Sequence, residues 1–98
     1  MLIVVTYDEN GGLWDHVGPP KGDRWGPGSR IATVIVSPYA RRGFVDHTFY
    51  DTTSILRFIT KRYGLPTLAG LEARDTAFAA NGSPPLGDLT GALDFASR

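Results

Sequence analysis

The chain has 98 residues, of which 42% are hydrophobic, 12 are glycine and 7 are proline, so it can bury at most one small core. Ten basic and ten acidic residues give a formal net charge of zero, which argues against a phosphate-backbone binder and predicts no nucleic-acid partner. The absence of cysteine excludes disulfides and thiolate metal sites. The longest apolar run falls far short of the roughly 20 residues that span a bilayer, and no basic and apolar leader precedes it, so we expect neither a transmembrane segment nor an export signal.

The first predicted element is a buried strand over residues 2–5, a β-branched and aliphatic run typical of a parallel sheet. The run leads into Asp8 and Glu9, and the glycine pair that follows Asn10 permits backbone angles that other residues resist. Open α/β sheets bind their ligands just beyond the carboxyl ends of such strands. In a regular strand Asp8 and Glu9 would point to opposite faces, so one site can use both only if a turn has begun. From spacing alone, a metal site and a solvated acidic turn are equal alternatives.

The second predicted element is a long loop over residues 11–30, which are rich in glycine and proline, with Trp14 and Trp25 as large apolar anchors. Loops of more than roughly 12 to 15 residues are usually functional or disordered, and the two tryptophans favour a packed, functional loop. Residues 31–36 then predict a second buried strand. The Ser-Pro pair that follows stops it, because proline cannot donate to a sheet ladder.

One helix is strongly predicted after residue 50. Asp51 is its predicted cap, because this carboxylate can accept hydrogen bonds from the free N–H groups of the first turn. The helix has one apolar face at helical spacing, formed by Ile55, Phe58, Ile59 and Tyr63. Gly64 is expected to end it. Further along, residues 73–80 predict one or two helical turns, and residues 89–95 predict a short docking segment.

Two strands and one helix are too little for a finished α/β domain. Strands that are buried on both faces need neighbouring strands and covering helices, since otherwise their edges stay unpaired and their apolar faces stay wet. We therefore interpret the chain as a piece of a larger domain.

Six motifs resemble one known family when they are taken in order. They are Thr6-Tyr7-Asp8-Glu9-Asn10-Gly11-Gly12, Trp14-Asp15-His16-Val17, Gly26-Pro27-Gly28-Ser29-Arg30, Val36-Ser37-Pro38-Tyr39-Ala40, Val45-Asp46-His47-Thr48 and Asp51-Thr52-Thr53-Ser54-Ile55-Leu56-Arg57-Phe58-Ile59. Together they closely resemble the carboxyl-terminal part of the bacterial phosphoesterase family that includes phospholipases C and an acid phosphatase. The resemblance covers residues 2–66 well, and the closing Leu93-Asp94-Phe95 resembles the end of that catalytic domain, whereas residues 70–88 match poorly. It implies that residues 1–98 are the carboxyl-terminal portion of a phosphoesterase catalytic domain, and an incomplete domain.

The resemblance implies an alkaline-phosphatase-like α/β fold, a mainly parallel sheet flanked by helices, here with long Gly/Pro-rich loops. It also implies a divalent metal ion and a Ser or Thr nucleophile at the carboxyl ends of the strands. Asp8 and Glu9 occupy positions that resemble the acidic metal ligands of the family, and carboxylate oxygens suit a hard cation. In the family the nucleophile and a further metal-ligating Glu-Asn pair come from the amino-terminal half, so we expect the nucleophile to be absent from this chain.

Three further residues are candidates for contacts to a metal ligand or to a substrate phosphate. Asn10 either supplies a third oxygen ligand to the metal or only stabilises the turn before the two glycines, and we favour the second role. His16 contacts a phosphate or a ligating carboxylate, or it is a structural histidine packed beside Trp14. His47 lies where sister branches of the superfamily place a metal-ligating or phosphate-contacting histidine, or it is a helix-entry residue bonded to backbone. Hydroxyls without the family's nucleophile context are rejected as nucleophiles: Ser37, Thr52, Thr53 and Ser54.

We therefore expect part of a metal-dependent phosphoric-ester hydrolase that acts on a phospholipid or a small phosphomonoester. The isolated chain is expected to be inactive, because phosphoryl transfer needs a nucleophile held in line against the metal. The alternative is a non-catalytic fragment that forms a homo-oligomer or pairs with a partner chain supplying the missing amino-terminal half. Relatives in the family are commonly exported from the cell, and the compartment of this chain is open.

Overall fold

The structure, a computed structural model, describes residues 1–96. It contains strand β1 (Ile3–Thr6), strand β2 (Thr33–Val36), helix α1 (Thr53–Tyr63), helix α2 (Ala69–Ala80) and a single 3₁₀ turn over Thr90–Ala92. The two predicted strands and the predicted helix are confirmed, and the chain is of mixed α/β type. Neither α-helix in the described part of the chain has the length and apolarity that crossing a bilayer requires.

The two strands form an antiparallel pair, with Ile3 opposite Val36 and Thr6 opposite Thr33. The prediction of a parallel arrangement is therefore wrong for these two strands. A parallel pair needs a crossover connection, usually a helix, whereas the segment between β1 and β2 contains no helix and returns the chain directly beside β1. The prediction that both strands are buried on both faces is also wrong within this chain, since only Val4 and Ile35 are shielded even in part.

Helix α1 begins as its sequence predicts. The Asp51 carboxylate accepts a hydrogen bond from the Thr53 N–H at 2.8 Å, and the Ser54 hydroxyl accepts one from the Asp51 N–H at 3.1 Å. This reciprocal arrangement satisfies two N–H groups at the helix start. At the other end, Gly64 adopts a left-handed conformation, with φ +62°, and donates its N–H to the Thr60 carbonyl.

Helix α2 is longer than predicted, because it has 12 residues and starts at Ala69 rather than near residue 73. Its buried side chains are Leu71 and Phe78, and Phe78 is only 1% exposed. The Phe78 ring lies directly under Gly22 of the long loop, so close that a Cβ at Gly22 would sit 2.4 Å from the ring. This tertiary contact holds a helix whose own sequence has little amphipathic pattern.

The last segment docks as predicted. Leu93 forms an isolated antiparallel bridge with Ala40, and the Asp94 N–H donates to the Tyr39 carbonyl at 2.7 Å. The rings of Tyr39 and Phe95 pack 5.4 Å apart. Residues 89–95 therefore tie the end of the described chain to the segment that follows β2.

Candidate functional site

The carboxylates of Asp8 and Glu9 lie in a tight turn two residues beyond β1. One oxygen of Asp8 accepts the Glu9 N–H at 3.0 Å, and one oxygen of Glu9 accepts the Gly11 N–H at 2.8 Å. Gly11 and Gly12 both have positive φ, +61° and +79°, which a side chain would resist. The strand has therefore broken into a turn, as simultaneous use of both carboxylates requires, and both side chains are exposed. A hydrogen bond from a backbone N–H to one oxygen therefore orients each carboxylate.

Both the nitrogen and the oxygen of the Asn10 side-chain amide form hydrogen bonds within the long loop. Its Nδ2 donates to the Ser29 hydroxyl at 2.7 Å, and its Oδ1 accepts the Gly12 N–H at 3.0 Å. These contacts agree with the turn interpretation of Asn10, while its role as an oxygen donor to a metal stays a prediction. The Asn10 to Ser29 bond also closes the base of the long loop beside β1.

A second closure of the same loop is the ion pair between Asp15 and Arg30. Two nitrogens of the guanidinium donate to the two carboxylate oxygens, at 2.6 and 2.8 Å. The Arg30 guanidinium holds the pKa of Asp15 well below its usual range, and Asp15 in turn raises the pKa of Arg30. Bidentate pairs of this kind fix orientation as well as distance. The pair therefore sets the course of the loop close to the acidic turn.

His16 follows Asp15 directly and lies on the surface. Its side chain is 78% exposed, its Nδ1 is 3.8 Å from an Asp15 oxygen, and its ring centroid is 6.5 Å from that of Trp14. Trp14 is itself 86% exposed and Trp25 is 76% exposed. The prediction that the tryptophans pack as loop anchors is therefore wrong within residues 1–96, whereas both interpretations of His16, as a phosphate or carboxylate contact and as a structural histidine, stay predictions. The exposed imidazole is free to meet a ligand.

His47 sits at the tip of a turn that Asp46 organises. The Asp46 carboxylate accepts the Thr48 N–H at 2.9 Å with one oxygen and the Tyr50 hydroxyl with the other. Partial burial raises the pKa of Asp46, but these hydrogen bonds outweigh it and the net pKa is lowered. Burial and the bond to Asp46 raise the pKa of Tyr50 to about 12. The turn presents His47 as an exposed side chain.

The candidate residues do not assemble into a complete site within residues 1–96. No three His, Asp or Glu side chains of this part of the chain come close enough together to hold a metal ion. Asp8 and Glu9 offer two hard oxygen ligands on one turn, a donor set that fits a divalent cation but fills only part of its coordination shell. Their role as metal ligands therefore stays a prediction.

A network of ion pairs fixes the helices against the loop. Arg74 of α2 reaches both the helix cap Asp51, with Nε and carboxylate oxygen 2.7 Å apart, and the loop residue Asp23, at 3.4 Å. The Arg74 N–H is not aimed at the Asp51 oxygen, so this contact is an ion pair and not a hydrogen bond. On the neighbouring face, Arg57 makes a bidentate pair with Asp75 at 2.8 and 2.9 Å. Sequence reasoning missed these pairs, whose partners are at least 18 residues apart.

Sequence reasoning also missed the roles of Asp15 and Tyr50. Asp15 lies inside the Trp14-Asp15-His16-Val17 motif, and its charge, opposite to that of Arg30 in the same loop, was the one available signal for the pair. Asp46 and Tyr50 are four residues apart, which was a weaker signal because residues 41–50 have no helical period.

Comparison with known proteins gives a consistent result. Residues 1–66 match the Phosphoesterase family. Phospholipase C B of Mycobacterium tuberculosis is 31% identical over 119 residues, covering 97% of this chain and 21% of the relative. Non-hemolytic phospholipase C of Pseudomonas aeruginosa is 28% identical, covering 97% and 17%, and non-specific phospholipase C6 of Arabidopsis thaliana is 34% identical, covering 65% and 17%. The chain spans about a fifth of the length of the curated relatives it matches, and no solved structure matches it.

Proposed function

The chain belongs to the phosphoesterase family, and we propose that it supplies acidic metal ligands to a metal-dependent phosphoric-ester hydrolase of phospholipase C type. The observation that carries the proposal is the turn after β1, which presents Asp8 and Glu9 side by side, exposed, and each oriented by a backbone N–H. The turn lies inside the matched region. The complete catalytic domain of such an enzyme would have an alkaline-phosphatase-like fold, in which β1 delivers the turn to the ligand-binding edge of the sheet.

A divalent cation held by Asp8 and Glu9 would polarise the phosphoryl oxygen and stabilise the charge that develops there. The residues of this chain do the positioning. The Gly11 N–H holds one Glu9 oxygen at 2.8 Å, which leaves the other oxygen for the cation. The Asp15 to Arg30 pair fixes the segment that carries His16, whose exposed imidazole can donate to a phosphate oxygen. His47 lies on a separate turn, and its exposed imidazole can likewise donate to a phosphate oxygen.

The nucleophile is proposed to lie outside this chain, because its hydroxyls near the helix have structural roles. Ser54 is fully buried and accepts the Asp51 N–H, and Thr53 donates its hydroxyl to the Asp51 carboxylate. The Ser37 hydroxyl accepts the Tyr39 N–H at 3.2 Å. The carboxylate that Thr53 bonds belongs to Asp51, which also accepts the Thr53 N–H at the start of α1 and pairs with Arg74, so it is engaged structurally. The substrate class is a phospholipid or a small phosphomonoester, and the names of the relatives favour the phospholipid.

A chimera tests the proposal directly. The stretch of Mycobacterium tuberculosis phospholipase C B that matches this chain is replaced by residues 1–98, and hydrolysis of a chromogenic phosphodiester and bound metal are measured. We expect an active, metal-containing chimera in which Asp8→Asn or Glu9→Gln lowers turnover by roughly 100-fold or more, as loss of charge stabilisation at a reacting centre does. The matched control is Glu72→Gln, an exposed carboxylate in the first turn of α2, which should leave both quantities unchanged. Full turnover and metal content in the Asp8→Asn chimera would refute the assignment.

A further inference from the structure

Two neighbouring residues at the end of the long loop, Ser29 and Arg30, contact different parts of the proposed site. The Ser29 hydroxyl accepts a hydrogen bond from Asn10 Nδ2 at 2.7 Å, which ties it to the acidic turn, residues 8–12. Arg30 donates from two nitrogens to Asp15, the residue before the exposed histidine of the loop. Because the Cα atoms of neighbouring residues are about 3.8 Å apart, one peptide unit joins the two contacts. We call Ser29 and Arg30 the bridge.

The contact of Ser29 reaches the backbone of the acidic turn through one side chain. Asn10 accepts the Gly12 N–H with Oδ1 at 3.0 Å while its Nδ2 donates to Ser29. The Asn10 backbone carbonyl also accepts the Leu13 N–H at 3.0 Å. Without the Ser29 hydroxyl, the amide would keep its bond inside the turn and lose its bond to the far end of the loop. The hydrogen bonds of the turn therefore set its shape, and Ser29 sets where it lies.

The contact of Arg30 orients the segment that carries His16. The Asp15 carboxylate takes up both oxygens in the bidentate pair, and its Oδ1 also accepts the Val17 N–H at 3.0 Å. The same oxygen lies 3.8 Å from His16 Nδ1. A bidentate pair fixes orientation as well as distance, so Arg30 fixes the carboxylate that contacts the two residues after it. Asp15 neutralises the guanidinium charge, which favours a geometric role for Arg30 over phosphate binding.

The bridge and the acidic turn start from the same end of the strand pair. Thr6 ends β1 and lies opposite Thr33, the first residue of β2, and the Thr6 hydroxyl donates to the Ala32 carbonyl at 3.0 Å. From this point the chain runs forward to the acidic turn and backward to the bridge, and the bond of Ser29 joins the two again. All of these contacts are made between residues 6 and 33 of this chain.

We propose that Ser29 and Arg30 are positioning residues, which together fix the distance between the acidic turn and His16. This inference rests on the proposed function, in which the turn holds a cation and His16 donates to the phosphate. A phosphate that meets both groups at once needs a fixed spacing between them, because a misplacement of about 1 Å can cost about 100-fold in rate. Neither bridge residue touches the substrate, and each acts through the side chain that it holds.

Amide exchange with water, measured by NMR on the 98-residue chain, tests the bridge without reference to activity. The probes are the amides of Gly12 and Val17, which bond to the two side chains that the bridge holds. Ser29→Ala should speed exchange at Val17 as well as at Gly12, and Arg30→Lys should do the same at both. We expect roughly threefold or more, the effect of weakening one hydrogen bond. Ser29→Thr keeps the hydroxyl and should restore the parent rates.

The matched control is Arg57→Lys, which alters a bidentate pair of the same kind between α1 and α2 and should leave both probe amides unchanged. The Thr48 amide, which bonds an aspartate in a separate turn, should be unaffected by either bridge variant. The proposal is overturned if Ser29→Ala speeds only Gly12 and Arg30→Lys speeds only Val17, because the two contacts would then be independent.

The phospholipase chimera that carries residues 1–98 measures what the bridge does for turnover. At saturating metal, Ser29→Ala and Arg30→Lys should each lower kcat roughly tenfold and leave KM nearly unchanged. The two changes combined should cost little more than either one, because each break frees the same spacing. A combined loss of roughly 100-fold, the product of the single losses, would overturn the proposal. Coupled amide exchange with an inactive chimera would refute the proposed function and not the bridge, whereas uncoupled exchange with an active chimera would refute the bridge alone.

Discussion

Replacing Gly22 by alanine should strongly destabilise the contact between the long loop and α2. An added Cβ would lie 2.4 Å from the Gly26 carbonyl oxygen and 2.4 Å from the Phe78 ring, whereas carbon atoms in contact are ordinarily about 3.5 to 4.0 Å apart. Both neighbours resist displacement, because Gly26 is held by its own turn to Asp23 and Phe78 is 1% exposed. The loop must therefore move away from the helix by about 1 Å or more.

The magnitude follows from what that movement breaks. Overpacking of this kind costs about 1 to 3 kcal/mol. The loop would also strain or lose the hydrogen bonds that Asn81 donates to the Gly22 carbonyl and that Ser83 donates to the Lys21 carbonyl, each worth about 1 kcal/mol. We expect the free energy of unfolding to fall by about 2 to 4 kcal/mol in total.

Urea unfolding followed by far-UV circular dichroism measures this change. The matched control is Gly28→Ala in the same loop, where an added Cβ meets no atom within 4 Å and φ is not positive, so the change should stay within about 0.5 kcal/mol. Equal stability of the Gly22→Ala and Gly28→Ala chains would refute the packing argument. Hydrogen exchange at the Ser83 amide, which bonds the Phe78 carbonyl, adds a local measure of the same contact.

Three further predictions follow from single groups. Gly70→Ala, inside α2 with no atom within 4 Å of the added Cβ, should raise the free energy of unfolding by about 0.5 to 1 kcal/mol in a urea titration. Burial raises the pKa of Asp88, but hydrogen bonds from Thr90 and Lys61 lower it to about 2. Because the Lys61 side chain is 63% exposed, solvent screening reduces the contribution of Asp88 to about 1 kcal/mol, which is present above pH 4 and lost as the pH falls towards 2. The Asp88→Asn chain should show a flatter acid limb in denaturation curves, and an unchanged limb would contradict this. The pKa of Tyr50 is raised to about 12, so its stabilising contribution is complete below pH 10 and is lost as the pH rises through about 12. Tyr50→Phe should remove the highest tyrosinate step at 295 nm.

The elements that could be predicted are those whose signals are local. The strands were visible as runs of β-branched residues, and α1 was visible from Asp51 at its start and Gly64 at its end. Each of these signals acts within a few residues and needs no partner elsewhere. The turn at Asp8 and Glu9 was predictable for the same reason, because paired glycines decide where a strand can break.

The features that were missed depend on residues far apart in the chain. The full length of α2 is set by the contact of Phe78 with Gly22, which is 56 residues earlier and cannot be read from helical spacing. The antiparallel pairing of β1 and β2 joins strands that the long loop separates, and the ion pair of Asp15 with Arg30 lies within that loop. Burial of the strands was predicted from their composition, but composition states what a residue prefers and not whether a covering layer is present.

The exposed side chains of the β1 and β2 pair also affect how the chain would behave after synthesis. Until the aliphatic face of Ile3, Val5, Val34 and Val36 is covered, it offers chaperones a binding segment and offers other unfolded chains a seed for cross-β aggregation. The amount of usable protein would therefore depend on how soon after translation the face is covered.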